Sequence, residues 1–111
     1  MAAGAATLAK VTYEDTVPRG GTGQVSVTTR KAASFRVVLQ VPTQGRARLY
    51  LLGAKAPKGG PLIDTKTYGC GVATGSFYCR GAYEPLPAGT YTFRIRWSGP
   101  IAAPVTLTVR W

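Results

Sequence analysis

Two runs near the C-terminal end alternate strictly between apolar and polar positions. In 90–97, Tyr91, Phe93, Ile95 and Trp97 fall on one side; in 105–111, Val105, Leu107, Val109 and Trp111 do. A period of two puts successive side chains on opposite faces of a strand, so each run predicts a half-buried β-strand with Thr and Arg on its outer face. Between them, Ser98 to Pro104 carries Gly99, Pro100 and Pro104, which interrupt a ladder and turn the chain. The two runs are therefore expected to form an antiparallel pair that closes a β-sandwich.

The same pattern recurs upstream. Lys10 to Glu14 predicts a first, edge strand, and Asp15 to Gly23, with Pro18 and three glycines, a loop. Gln24 to Thr29 turns Val25 and Val27 inward. Ser34 to Val41 turns Phe35, Val37, Leu39 and Val41 inward, with Arg36 and Gln40 outward. Ala47 to Leu52 can bury either Ala47, Leu49 and Leu51 or Arg48, Tyr50 and Leu52; the first set is preferred because it exposes Arg48. Gly53 to Pro61 is a Pro/Gly loop, and Leu62 to Cys70 and Ser76 to Arg80 read as two further short strands. No segment has a helical period. The fold expected is all-β: a single antiparallel sandwich, jelly-roll-like, of about seven to eight strands over 14–111. Residues 1–13 form an arm or edge strand.

Composition agrees. With 111 residues there is room for one domain and one core, and 14 Gly and 8 Pro suit a chain of many turns. Charge adds a second theme: 14 Lys and Arg face only Glu14, Asp15, Asp64 and Glu84, for a net charge of +10. Such a surface either serves solubility or attracts an anionic partner. Arg94, Arg96 and Arg110 fall on the outer face of the closing pair, joined by Arg36 if its strand lies in that sheet. They are the candidate anion- or partner-binding face, since guanidinium groups bind carboxylates and phosphates bidentately; the plain alternative is a charged face that blocks edge association. Tyr50, Tyr68, Tyr78 and Tyr83 are less fixed by pattern and are candidate aromatic contacts, against ordinary packing of turns.

The chemistry available is narrow. There is no histidine, so neither a Ser-His-Asp nor a Cys-His arrangement can form. Glu14 and Asp15 are adjacent and point to opposite faces of a strand, which suits no paired-carboxylate mechanism. Gly20-Gly21-Thr22-Gly23 is followed by no Lys-Ser/Thr and reads as a turn rather than a phosphate cradle. The expectation is a protein that is not an enzyme and takes no cofactor. Cys70 and Cys79 are the only cysteines, too few with no histidine for a zinc site. A bridge between them, favoured here over two buried free thiols, closes a short loop and contributes about 2–3 kcal/mol; it points to an oxidising compartment or an exposed particle surface.

Ala47-Arg48-Leu49-Tyr50-Leu51-Leu52, Tyr68-Gly69-Cys70, Phe77-Tyr78-Cys79, Leu86-Pro87-Ala88-Gly89-Thr90-Tyr91 and Val105-Thr106-Leu107-Thr108-Val109, in that order, resemble the bacterial pre-peptidase C-terminal domain over residues 24–111. The resemblance implies a small jelly-roll-like sandwich without catalysis of its own, appended in that family to secreted hydrolases, where it assists secretion or binds polymeric substrates. The chain departs from the family in its basic charge and in having Gly45-Arg46-Ala47 where an acidic strand start is common, which speaks against carrying calcium binding over.

Two functions follow as expectations. The first is a structural docking part of a larger assembly, a virion decoration protein or extracellular filament component, with a capsid, a filament or copies of itself as partner. The alternative is a module binding an anionic polysaccharide or other extracellular polymer. Nucleic acid is expected to bind only nonspecifically, through charge. No run is long enough for membrane insertion. Residues 1–8 lack the basic start and apolar core of an intact signal peptide, so the location expected is a virion surface, or the extracellular space if Met1 stands in for a leader.

Overall fold

The structure is a computed structural model that describes residues 9–43, 45–65, 70–73 and 76–111, with the side chains of 70–73, 76 and 77 outside the description. Its nine described strands are β1 (Lys10–Val17), β2 (Thr22–Thr29), β3 (Arg36–Val41), β4 (Arg46–Leu52), β5 (Ile63–Asp64), β6 (Cys70–Ala73), β7 (Ser76–Ala82), β8 (Gly89–Ser98) and β9 (Ala103–Arg110). They form a five-stranded sheet, β1-β9-β3-β7-β6, and a four-stranded sheet, β2-β8-β4-β5. Every pairing is antiparallel. The all-β sandwich expected from the pattern is the fold.

The inner stripes are the ones that alternation assigns. Tyr91, Phe93, Ile95 and Trp97 of β8 are completely buried, as are Phe35, Leu39, Val41, Ala47, Leu49 and Leu107. Of the two registers open for β4, the one that buries Ala47, Leu49 and Leu51 is present. Phe35, just before β3, is the hub between the sheets. Its ring meets Tyr91 and Phe93 edge-on, each with centroids 5.3 Å apart, the geometry aromatic quadrupoles prefer. The Tyr91 hydroxyl donates to the carbonyl of Pro87, four residues upstream, which pins the entry to β8 in the manner of the tyrosine corners of Greek-key sandwiches. At the other end of β8, Trp97 lies in a slot between Gly45 and Gly99. A Cβ at Gly99 would stand 2.1 Å from the indole, so only glycine fits there.

One expectation about this closing region is corrected. β8 and β9 do not pair with each other: β8 is central in the four-stranded sheet, between β2 and β4, and β9 in the five-stranded sheet, between β1 and β3. Their apolar stripes face each other across the core. Residues 99–102 carry the chain from one sheet to the other, held where the Trp97 indole N–H donates to the carbonyl of Ile101 at 2.7 Å. A period of two determines which face of a strand is buried; it does not distinguish a neighbour in the ladder from a neighbour across the core.

Two boundaries also move. β1 runs on to Val17, so the expected division at residue 13 falls inside a strand, and Asp15 to Val17 belongs to the ladder instead of the loop. β1 is nonetheless the edge strand expected. Leu62 to Cys70 is not one strand: Ile63–Asp64 pairs with β4 and Cys70–Ala73 with β7, in different sheets. Residues 1–8 of the expected arm lie outside the described residues.

Candidate functional site: two cationic faces

Because β8 and β9 lie in opposite sheets, the four candidate arginines do not share a face. Arg94 and Arg96 are on the outside of the four-stranded sheet, and Arg36 and Arg110 on the outside of the five-stranded sheet. The structure brings together two pairs instead of one quartet.

On the five-stranded face, antiparallel register stacks three cations side by side. Lys10 lies opposite Arg110, and Arg110 opposite Arg36. The next outward row on the same strands is Thr12, Thr108, Val38 and Arg80. The connection between β2 and β3 runs alongside. It is fastened by the Ala33 N–H to Leu86 O bond at 2.9 Å and the Leu86 N–H to Ala33 O bond at 2.8 Å. Between this connection and the sheet is a groove of about 1470 Å³ whose lining includes Arg30, Lys31, Arg36, Arg80 and Arg110, and no Asp or Glu. Its floor and walls between the charges are Ala33, Val38, Ala82 and Trp111, among others. None of these five cations makes an ion pair with a described residue.

On the four-stranded face, Thr22, Arg96, Arg48 and Asp64 follow one another across β2, β8, β4 and β5. Asp64 is buried and held by Arg46, whose Nε donates to Oδ1 at 3.0 Å and whose Nη2 donates to Oδ2 at 2.6 Å. Arg94 donates through Nε to the Gln24 side-chain oxygen at 3.0 Å. Arg48 is half-buried with its Nε covered and without an acceptor.

The tyrosines form no common platform. Tyr50 is half-buried opposite Arg94 on the four-stranded face. Tyr78 is exposed on the other side, opposite Gln40. Tyr83 packs against the core, where burial pushes its phenol up to about 12, a backbone hydrogen bond from Leu51 pulling the other way. Tyr68 lies outside the described residues. Cys70 stands directly opposite Cys79 in the β6–β7 ladder. Cys79 is completely buried and is not a free thiol; the side chain of Cys70 lies outside the description.

The carboxylates do not converge. Asp15 accepts from the Tyr13 hydroxyl at 2.9 Å, and this contact, after burial, raises the Tyr13 pKa. Asp64 is committed to Arg46, and Glu84 is exposed. Among the described residues, no group of three or more His, Cys, Asp or Glu could hold a metal ion. No described helix is long and apolar enough to cross a membrane.

Sequence reasoning missed Arg30, Lys31 and Arg80 at the groove, Lys10 in the row beside it, and Arg46 and Arg48 on the other face. Arg80 had a readable signal, alternating with Tyr78 in a strand already expected. Arg30 and Lys31 had none, because they sit in a connection whose path depends on the sheets it joins.

No protein-family model matches the chain, and no curated protein matches it in sequence. Among solved structures it is similar to PliG of Aeromonas hydrophila, a periplasmic inhibitor of g-type lysozyme. The identity is 13% and the TM-score 0.46, over 98% of this chain and 90% of that one. At that level the likeness carries no argument about what this chain binds.

Proposed function

We propose that the protein is a non-catalytic module that holds an anionic polysaccharide in the groove of the five-stranded face. The observation that carries this reading is the groove lining: Arg30, Lys31, Arg36, Arg80 and Arg110 converge there without an Asp or Glu side chain. Like charges placed directly opposite in a ladder cost stability, and a row of negative groups laid across them offsets that cost and is gripped bidentately.

A protein partner is less well served. Protein interfaces place apolar and aromatic anchors at a core depleted in charge, and among the described residues the large exposed hydrophobics are Tyr78 and Ile101 alone. For nucleic-acid bases, the described residues offer one aromatic side chain in the groove, Trp111, and no row of them on which successive bases could stack. The assembly reading, a decoration or filament part, draws instead on the sheet edges, since β1 ends one sheet and can accept a partner strand. The groove favours the polymer. With that reading go the resemblance to pre-peptidase C-terminal domains, an extracellular place of action and a Cys70–Cys79 bridge.

Retention on immobilised polygalacturonate through a salt series tests the function. Retention at low salt, weakening steadily as salt rises, is expected, with about tenfold weaker binding for an Arg36→Gln/Arg110→Gln variant. Equal retention on a neutral glucan, or a variant that binds as well as the parent, overturns it. For the bridge, alkylation without reductant is expected to label neither cysteine; two labelled thiols refute it.

A further inference from the structure

We infer that the opposite face carries a second oxyanion site, centred on Arg48 and Arg96, so that one molecule cross-links two anionic polysaccharide chains. This rests on the polysaccharide reading of the first face and adds to it.

Arg48 and Arg96 are direct neighbours across β4 and β8. Arg48 also has Asp64 opposite it on β5, the one carboxylate in that row. That carboxylate is turned to Arg46, which binds it with two nitrogens. The chain therefore places an acid beside Arg48 and spends it elsewhere. Arg48 keeps a covered Nε without an acceptor, and Arg96 makes no ion pair with any described residue.

Two guanidinium groups directly opposite in a ladder repel each other, and an oxyanion between them satisfies both with charge-assisted bonds. Arg94, one outward position along β8, is held by Gln24 on the same face and extends the site along the strand. Tyr50, opposite Arg94, supplies an apolar surface beside the charges.

The two sites cannot serve one short segment. β8 and β9 lie in different sheets with their inner stripes facing, so Arg96 and Arg110 point to opposite outsides of the sandwich. A polymer chain on each side is then bridged through the protein, and many such bridges build a network by avidity.

The test uses the full chain with polygalacturonate and, as a sulfated counterpart, heparin. Light scattering is followed as the polymer-to-protein ratio is varied, and the number of short oligogalacturonates bound per protein is measured by titration calorimetry. The parent is expected to scatter most at an intermediate ratio and to bind two oligomers. An Arg48→Gln/Arg96→Gln variant is expected to stay on the polygalacturonate column through the groove, to scatter roughly tenfold less, and to bind one. Arg96→Glu, at an exposed position, gives the same result in a protein whose thermal midpoint is no lower than the parent's, since an acid opposite Arg48 replaces repulsion with attraction.

Scattering that survives both variants, or one oligomer bound by the parent while column retention persists, overturns the second site and leaves the first standing. Loss of all retention by the parent overturns both. Heparin cross-linked and polygalacturonate not, or the reverse, fixes which oxyanion the pair of sites accepts and supports the bridge in either case.

Discussion

On the five-stranded sheet, Lys10, Arg110 and Arg36 stand in one row with no acid among them. On the four-stranded sheet the comparable row ends in Asp64, and that carboxylate is buried under Arg46. Both faces belong to the same kind of strand, with an apolar inner stripe and a cationic outer one. They differ at one cation: the four-stranded face neutralises Arg46 with its own carboxylate, and the row on the five-stranded face neutralises none. Where the charge is neutralised, the ion pair ties the two-residue β5 to β4 and works for the fold. Where it is not, the cations oppose the fold and are available to something outside it. Equal counts of arginine thus say little; what separates a structural charge from a binding one is the carboxylate within reach.

The comparison is broken most strongly at Asp64. Asp64→Asn keeps the shape and removes the charge, leaving Arg46 without its acid. The cost expected is about 1–3 kcal/mol, below the upper range for buried pairs because the Arg46 side chain is 40% exposed and can turn to water. Urea unfolding of this variant beside Glu84→Gln, at an exposed carboxylate, measures it. Equal midpoints for the two would remove the distinction between the faces.

On the opposite side the sign reverses. Arg110 lies between Lys10 and Arg36, so Arg110→Thr relieves repulsion on both flanks and places a good strand former there. It is expected to raise stability by about 0.5–1 kcal/mol at low salt, a gain that shrinks as salt screens the parent's charges. Thermal midpoints of parent and variant across a salt series read this directly. A variant less stable than the parent at every salt concentration would mean that Arg110 serves the fold after all.

How far these faces could be read in advance depended on what each signal measures. The burial of Tyr91, Phe93, Ile95 and Trp97 was legible because alternation is a local property of β8, and Phe35 was legible for the same reason. The pairing of β8 with β9 was misread because a buried stripe is equally content beside or opposite its partner, and only the path of residues 99–102 decides between them. That single error joined Arg94 and Arg96 to Arg110 and Arg36 on paper, when the core separates them. The Arg46–Asp64 pair was invisible for a related reason. Its partners are 18 positions apart, and Asp64 lies in a strand too short to show a period. Arg48 was correctly turned outward, yet its lack of an acceptor follows from that unseen pair.

The smallest effect concerns what joins the two faces. Tyr83 follows β7 of the five-stranded sheet, and its phenol receives a hydrogen bond from the backbone of Leu51 in the four-stranded sheet. Burial is the larger influence and pushes its pKa up to about 12. A phenol is uncharged below its pKa, so a raised value in the folded state means that the fold favours the neutral form. Between the ordinary value near 10 and about 12 the folded chain keeps a proton that the unfolded chain releases. Stability is unaffected by this group below that window and falls as pH climbs through it. Because the ring is only partly covered, water shares the charge and the loss is modest. Tyr83→Phe is expected to flatten the decline in urea midpoint between about pH 10 and about pH 12 and to remove the latest step from the phenolate absorbance titration. Were the latest step instead removed by Tyr78→Phe, at the exposed ring on the outer face, the contact between the sheets would not be what holds that proton.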